Sequence, residues 1–248
     1  MTLSKTPRFD GRRVLVTGGA SGIGRATCRL LIEGGAKVAM LDLDAPKLRD
    51  AAGELGAIPI PADLSDAAQP GAAAESAARA LGGLDGVVNC AGIATSKPLG
   101  EMDPETWMRV FAVNLNAPYL ILRAALPWLR QAPGSAVVNV ASGVGITPGV
   151  GSKGGSAYAS SKAGLIGLTR ALASELAPAV RVNAVCPGVT ETPMVAGLPG
   201  GGPALSRYAL GRMAAPAEIA SVIVFLISDA ASYVTGATWA ADGGRTFH

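Results

Sequence analysis

Short apolar runs alternate with longer segments of helical periodicity along most of this chain. Residues 13–17 read as a buried strand, 23–33 as a helix stopped by Gly34-Gly35, and 37–41 as a second strand with Asp42 at its carboxyl end. The pattern predicts helix over 46–55, strand over 57–60 followed by Asp63, an alanine-rich helix over 72–81, and strand over 84–89. The second half continues the alternation. Residues 104–129 read as one long helix in which Pro118 and Pro127 should each kink the helix or end a segment. Strand is expected over 136–141, helix over 156–176, strand over 180–185, helix over 216–227 with Pro216 at its start, and a last strand over 237–240. Strands alternating with helices are the signature of parallel crossover units. No linker-like tract divides the chain, and the Gly/Pro-rich stretch 197–203 reads as loop. The expectation is one doubly wound α/β domain over residues 1–248, a parallel sheet with helices on both faces and ligand loops at the carboxyl ends of its strands.

Composition narrows the class. A chain of 248 residues, 49% hydrophobic and 16% charged, can bury a substantial core and is not of disordered type. The formal charge of +3 is small and its lysines and arginines are scattered, so no nucleic-acid stripe is visible. Cys28, Cys90 and Cys186 are far apart and odd in number, which fits a reducing compartment rather than a disulfide framework. Residues 1–10 lack the apolar core of a signal peptide, and no uninterrupted apolar run reaches the ~18 residues of a membrane span. A cytoplasmic protein without membrane partner is expected. No metal-ligand cluster is recognisable, and the one histidine, His248, is terminal.

Candidate chemistry begins after the first strand, at Thr17-Gly18-Gly19-Ala20-Ser21-Gly22-Ile23-Gly24. Gly18, Gly22 and Gly24 would let a tight turn bring backbone against a pyrophosphate, with Ser21 and Ile23 projecting from the same loop. The following helix would offer its free N–H groups and positive dipole end. Asp42 is placed either to bind the adenine ribose hydroxyls or to cap a turn. With no cation directly beside it, the first role favours NAD over NADP.

Tyr158 and Lys162 lie one helical turn apart on a common face. They are either a packed Tyr with a surface Lys, or a phenol whose deprotonation a nearby ammonium favours. Ser142 follows the 136–141 strand, where its hydroxyl can polarise a substrate oxygen or merely make a turn. Asn114 is either a satisfied buried amide or part of a proton relay.

Taken together, these motifs resemble those of the classical short-chain dehydrogenase/reductase family. Thr17 to Gly24 is similar to its glycine motif, Asp63-Leu64 to its adenine-pocket pair, and Asn89-Cys90-Ala91-Gly92 to its Asn-Asn-Ala-Gly motif, with Cys90 a departure. Pro187-Gly188-Val189-Thr190, with Thr192, resembles the segment that contacts nicotinamide. The resemblance implies a Rossmann-like fold, NAD as cofactor, and Asn114, Ser142, Tyr158 and Lys162 as a catalytic tetrad. Their implied roles are water-relay anchor, substrate-oxygen donor, general acid/base, and Tyr-activating, ribose-binding cation. It also implies a homo-oligomer, with a tetramer favoured, built on the two long helices and the final strand region. Ser142 and Tyr158 lie 16 residues apart, a longer interval than the resemblance implies. The extra residues fall between Gly143 and Gly155 and would reshape one side of the pocket.

Residues 190–210, bearing Met194, Val195, Leu198, Leu205 and Tyr208, are expected to form a substrate lid, the alternative being that these apolar side chains pin the loop to the core. Few charges flank Ser142 and Tyr158, which favours a small neutral alcohol or ketone. The expected activity is NAD-dependent interconversion of a secondary alcohol and a ketone. The alternatives are a 3-oxoacyl carrier-protein reductase and a non-catalytic dinucleotide-binding protein.

Overall fold

The computed structural model describes residues 8–147, 155–196 and 205–246. Seven parallel strands form one sheet in the order β3-β2-β1-β4-β5-β6-β7. In chain order they are β1 (Arg13–Thr17), β2 (Lys37–Asp42), β3 (Ile58–Pro61), β4 (Gly86–Asn89), β5 (Ser135–Val140), β6 (Val180–Pro187) and β7 (Thr238–Ala241). The longer helices are α1 (Gly22–Glu33), α2 (Ala45–Leu55), α3 (Gln69–Leu81), α4 (Pro104–Phe111) and α5 (Ala117–Leu129), then α7 (Ser156–Leu176) and α9 (Pro216–Ile227). Two one-turn helices, α6 (Gly143–Ile146) and α8 (Pro193–Ala196), lie in loops and have no periodic signal in the sequence.

The five central strands, β2, β1, β4, β5 and β6, are largely buried on both faces, yet their side chains still alternate. Val14, Val16, Val38, Met40, Val138 and Val140 pack on one face with Leu31 of α1, Leu48 of α2 and Ile223 of α9. Leu15, Ala39, Leu41, Val87 and Val137 pack on the other with Ala74 of α3, Ile121 of α5 and Leu176 of α7. This period-two division between two apolar layers is what the near-continuous hydrophobic strand runs encode.

Residues 104–129 follow one helical course with an interruption. A π-turn over Ala112–Asn116 joins α4 to α5, and the Ala117 N–H donates to the Ala112 carbonyl. Pro118 immediately follows. In an α-helix residue 118 would donate to the Asn114 carbonyl, and proline has no N–H to give. The π-turn places the helix irregularity where a donor is missing. Pro127, by contrast, lies inside α5, which continues to Leu129. Among the described residues, Pro104–Leu129 is the one helix long and apolar enough to cross a membrane. Here Ala117, Ile121, Ala125 and Leu129 face the core.

The register sets up the site. Thr17 pairs with Leu41 and with Asn89, Asn89 with Asn139, and Val140 with Val185. The ends of β2, β1, β4, β5 and β6 therefore share one edge. Polar residues that follow each strand are gathered there, the general location of ligands in open parallel sheets.

Candidate active site

A cleft of about 400 Å³ runs along this edge. At its start, Gly18 has φ +68°, and a Cβ there would stand 2.9 Å from the Ala91 Cα. Glycine alone lets the loop after β1 touch the loop after β4. A Cβ on Gly24 would overlap the Gly18 carbonyl oxygen, so the turn closes tightly on the start of α1. Thr17 Oγ1 accepts the N–H groups of Cys90 and Ala91, each at 3.0 Å, which ties the two loops together. Ser21 precedes α1 without a side-chain capping bond. The first-turn N–H groups are thus not taken by a cap, and Ser21, Gly22, Ile23 and Gly24 line the cleft beside them. That is the arrangement a phosphate needs.

Asp42 lines the cleft at the end of β2. Its Oδ2 accepts the Ala20 N–H at 3.0 Å and its Oδ1 the Asp44 N–H at 3.3 Å. It braces the glycine turn, and an ionised carboxylate with two such bonds keeps lone pairs for further donors. Beyond it lie Asp63 and Leu64. Asp63 Oδ1 accepts from the Ser65 hydroxyl at 2.7 Å and from its N–H at 2.8 Å. These bonds hold the Asp63 carboxyl below its usual range, burial opposes them, and the charge of Arg109 adds to them.

The cleft also holds Ser142, Tyr158 and Lys162, with Gly92 beside the Lys162 ammonium, and Pro187, Gly188 and Thr190, while Ala91 and Thr192 adjoin the glycine turn. Burial raises the Tyr158 pKa, and the neighbouring Ser142 hydroxyl opposes that rise. The expected net lowering is corrected, because burial sets the direction. Lys162 Nζ stands 5.9 Å from the Tyr158 ring centroid and donates to the Val140 carbonyl at 2.8 Å. The charge is turned toward the sheet and the low-dielectric surroundings dominate. The same burial brings Lys162 down to about 8.

Three expected site residues do not line the cleft. Asn114 is fully buried in the π-turn. Its Oδ1 accepts the Ile93 N–H at 2.9 Å, and its Nδ2 donates to the Ile93 carbonyl at 2.9 Å and to Ser161 Oγ at 3.0 Å. Its side chain is satisfied, which leaves its main-chain carbonyl as the group for any relay. Asn89 Nδ2 donates to Asn139 Oδ1 at 2.8 Å inside the sheet, so Asn89 is a scaffold residue. Val189 borders a second cavity behind β6, and its carbonyl accepts the Ala214 N–H.

The cleft also contains residues that the sequence motifs did not assign to the site. Cys90 lines it as a half-buried thiol pushed up to about 12 by burial, which makes it a poor nucleophile. Leu43, Ile93, Arg109 and Val113 line it as well. Arg109 and Val113 are four residues apart on one helix line, a signal that becomes readable once Val113 is placed. Met194 and Val195, expected in the lid, also line the cleft. At the start of the segment expected to form a lid, Thr190 makes an isolated parallel bridge to Ala214. Residues 197–204 of the lid, 148–154 of the long loop, and Phe247 and His248 lie outside the described residues.

A family model described as "Enoyl-(Acyl carrier protein) reductase" matches residues 18–246. The chain belongs to the short-chain dehydrogenase/reductase family. It is 44% identical over 248 residues to cis-4-hydroxycyclohexanecarboxylate dehydrogenase of Sinomonas cyclohexanicum, covering 96% of this chain and 98% of that one. It is 41% identical over 245 residues to 3-oxoacyl-[acyl-carrier-protein] reductase of Thermotoga maritima, with the same coverage. A short-chain dehydrogenase/reductase structure from Brucella melitensis, described as glucose/ribitol dehydrogenase, superposes with TM-score 0.91 at 36% identity over 98% of this chain and all of that one. Among similar structures, a Brucella melitensis 3-ketoacyl reductase holds NADH (TM-score 0.88, 34% identity, 96% of this chain and 99% of that one). A Burkholderia cenocepacia dehydrogenase holds NADP (TM-score 0.90, 32% identity, 97% of this chain and all of that one). This member of the family is an NAD(P)-dependent oxidoreductase acting on a small alcohol or ketone.

Proposed function

We propose that this enzyme uses NAD(H) to interconvert a small, neutral secondary alcohol and its ketone. The observation that carries the reading is the single cleft with Ser142, Tyr158 and Lys162 at one end and Asp42 at the other. A bound nicotinamide supplies or takes the hydride. Ser142 donates a hydrogen bond to the substrate oxygen. Tyr158 gives that oxygen a proton in reduction and recovers it in oxidation, while Lys162 favours the charged states along the way. The Asn114 carbonyl, whose α-helical donor position is taken by Pro118, anchors the water that refills the relay. Gly18, Ser21, Gly22, Ile23 and Gly24 hold the pyrophosphate, Asp42 the adenine ribose, Asp63 and Leu64 the base. Ala91, Gly92, Pro187, Gly188, Thr190 and Thr192 bracket the nicotinamide half.

Asp42 supports NAD over NADP, because a carboxylate at the ribose repels a 2′-phosphate. The apolar side chains of Ile93, Met194 and Val195 in the cleft lining support a neutral substrate. Exposed Met108 and Tyr119 on α4 and α5 support a homo-oligomer, as a tetramer, through that helical face. Three thiols without a disulfide among them support a cytoplasmic setting. The likeness to the Thermotoga enzyme favours a second reading, a 3-oxoacyl carrier-protein reductase.

An absorbance screen of neutral cyclic and acyclic alcohols and ketones, hydroxycyclohexanecarboxylates and carrier-linked 3-oxoacyl substrates, each with both cofactors, decides between them. The first reading expects the highest kcat/KM for a neutral compound with NAD(H). A wide advantage for carrier-linked substrates overturns it in favour of the second. A clear preference for NADPH removes the role given to Asp42.

A further inference from the structure

One cation in the cleft has no task in the chemistry above. Arg109 sits on α4, exposed, and lines the cleft near enough to Asp63 for its charge to act on that carboxyl. Arg13, Arg25, Arg79 and Arg212 each engage a carboxylate. Arg109 forms no hydrogen bond or ion pair of its side chain among the described residues. Its neighbour on the same helix face, four residues on, is Val113, which is nearly buried and lines the cleft. Leu43, directly after Asp42, is 60% exposed although it is apolar and also lines the cleft. A leucine left open and an arginine whose side chain makes no hydrogen bond give the cleft an apolar part and a flat cationic part. The ligand such a surface fits is a flat, electron-rich aromatic ring.

We propose that Arg109 covers the adenine ring of the bound dinucleotide, its guanidinium plane lying on the base while Val113 and Leu43 supply apolar wall. The inference rests on the dinucleotide reading of the cleft. Arg109 acts here as an affinity and specificity residue, remote from Ser142 and Tyr158. The guanidinium plane makes the contact; the charge alone does not. The pair of carboxylates nearby, Asp42 and Asp63, makes this part of the cleft a poor site for an additional phosphate, so stacking is favoured over a 2′-phosphate contact.

The test uses the full-length enzyme and its Arg109→Ala and Arg109→Lys variants. Dissociation constants are measured for NADH, NADPH, ADP-ribose and reduced nicotinamide mononucleotide by fluorescence titration and calorimetry. The proposal expects Arg109→Ala to weaken NADH and ADP-ribose in parallel, by about tenfold. Nicotinamide mononucleotide, which lacks adenine, should be unmoved. Arg109→Lys should recover little, because it keeps the charge and loses the plane. Recovery by lysine, or a loss seen for NADPH much more than NADH, assigns Arg109 to phosphate attraction and overturns the stacking. Unchanged ADP-ribose binding in Arg109→Ala, with the wild type binding it well, sinks the inference and leaves the dinucleotide reading intact. A wild type that binds neither NADH nor ADP-ribose sinks both.

Discussion

Tyr158 and Lys162 are pushed in opposite directions by the same burial. The phenol is held above its ordinary pKa and the ammonium is brought down to about 8. Below that pH Tyr158 carries its proton and Lys162 its charge, the pair of states that ketone reduction consumes. Above it Lys162 becomes neutral and no longer favours the departing phenol proton. Reduction is therefore expected to decline as pH rises through about 8, read from kcat for ketone reduction across the alkaline range; a flat profile there would separate Lys162 from the proton transfer. Tyr158→Phe should lower kcat by about 10²–10⁴ while NADH affinity holds, since the ring still packs. Near-normal turnover would show that another group carries the proton. At this scale legibility was uneven. Ser142, Tyr158 and Asp42 stand directly after strands or on a strong helix pattern, so their meeting was readable. Arg109 is one exposed arginine on an amphipathic helix, and only the tertiary packing of α4 carries it to the cleft. The direction of the Tyr158 shift was missed for a related reason: one-turn spacing shows that Lys162 is near, whereas its bond to Val140 depends on how α7 lies on the sheet.

The elements that hold these residues meet through close contacts that local periodicity does not reveal. The helix limits of α7 and α9 follow plainly from their apolar faces and, for α9, from Pro216. The one-turn helix α6 does not, because four residues of Gly and small apolar side chains carry no period. Its position nevertheless matters. A Cβ on Gly145 would come within 2.9 Å of the Lys162 carbonyl carbon and 3.0 Å of the Ala163 nitrogen. Those atoms belong to rigid helix backbone, so a side chain at 145 must push α6 away from α7. Ser142 caps α6, its Oγ accepting the Val144 N–H at 3.4 Å, and would move with it. Gly145→Ala is expected to reduce kcat by roughly 10- to 100-fold through misplacement of the Ser142 hydroxyl, with NADH affinity preserved because the dinucleotide half of the cleft is built by other loops. Equal loss of cofactor binding would mean a general collapse of α7 instead. The π-turn is a second such case. Pro118 marked an irregularity in the 104–129 helix, and the missing N–H explains its place, but the sequence alone did not specify a π-turn over a kink.

Across the whole molecule the sheet separates chemistry from anchorage. The cleft occupies the carboxyl edge, and the opposite edge holds an ion pair that clasps the central strands. Arg13, opening β1, donates to Asp85 just before β4: Nη2 to Oδ1 at 2.7 Å, and Nε and its backbone N–H to Oδ2 at 2.9 and 2.7 Å. Burial alone would raise the Asp85 pKa, but the bonds and charge of Arg13 outweigh it and hold the carboxyl below its ordinary range. The alternation of strands and helices foretold the sheet, whereas this clasp joins residues 72 positions apart and had no local signature. Removing the charge with Asp85→Asn should cost about 2 kcal/mol, a Tm lower by roughly 4–8 °C for a chain of this size. Because the folded pKa lies below the unfolded one, the stabilisation is present above the unfolded value near ~4 and is lost as pH falls through the folded value. Thermal melts of wild type and Asp85→Asn should therefore differ at neutral pH and converge in acid. Steady-state kinetics at a temperature where both are folded should coincide, since the clasp lies at the edge away from Tyr158. A Tm gap that persists at low pH would assign the loss to packing around the new amide, and a fall in kcat without a fall in Tm would show that the two edges of the sheet are coupled.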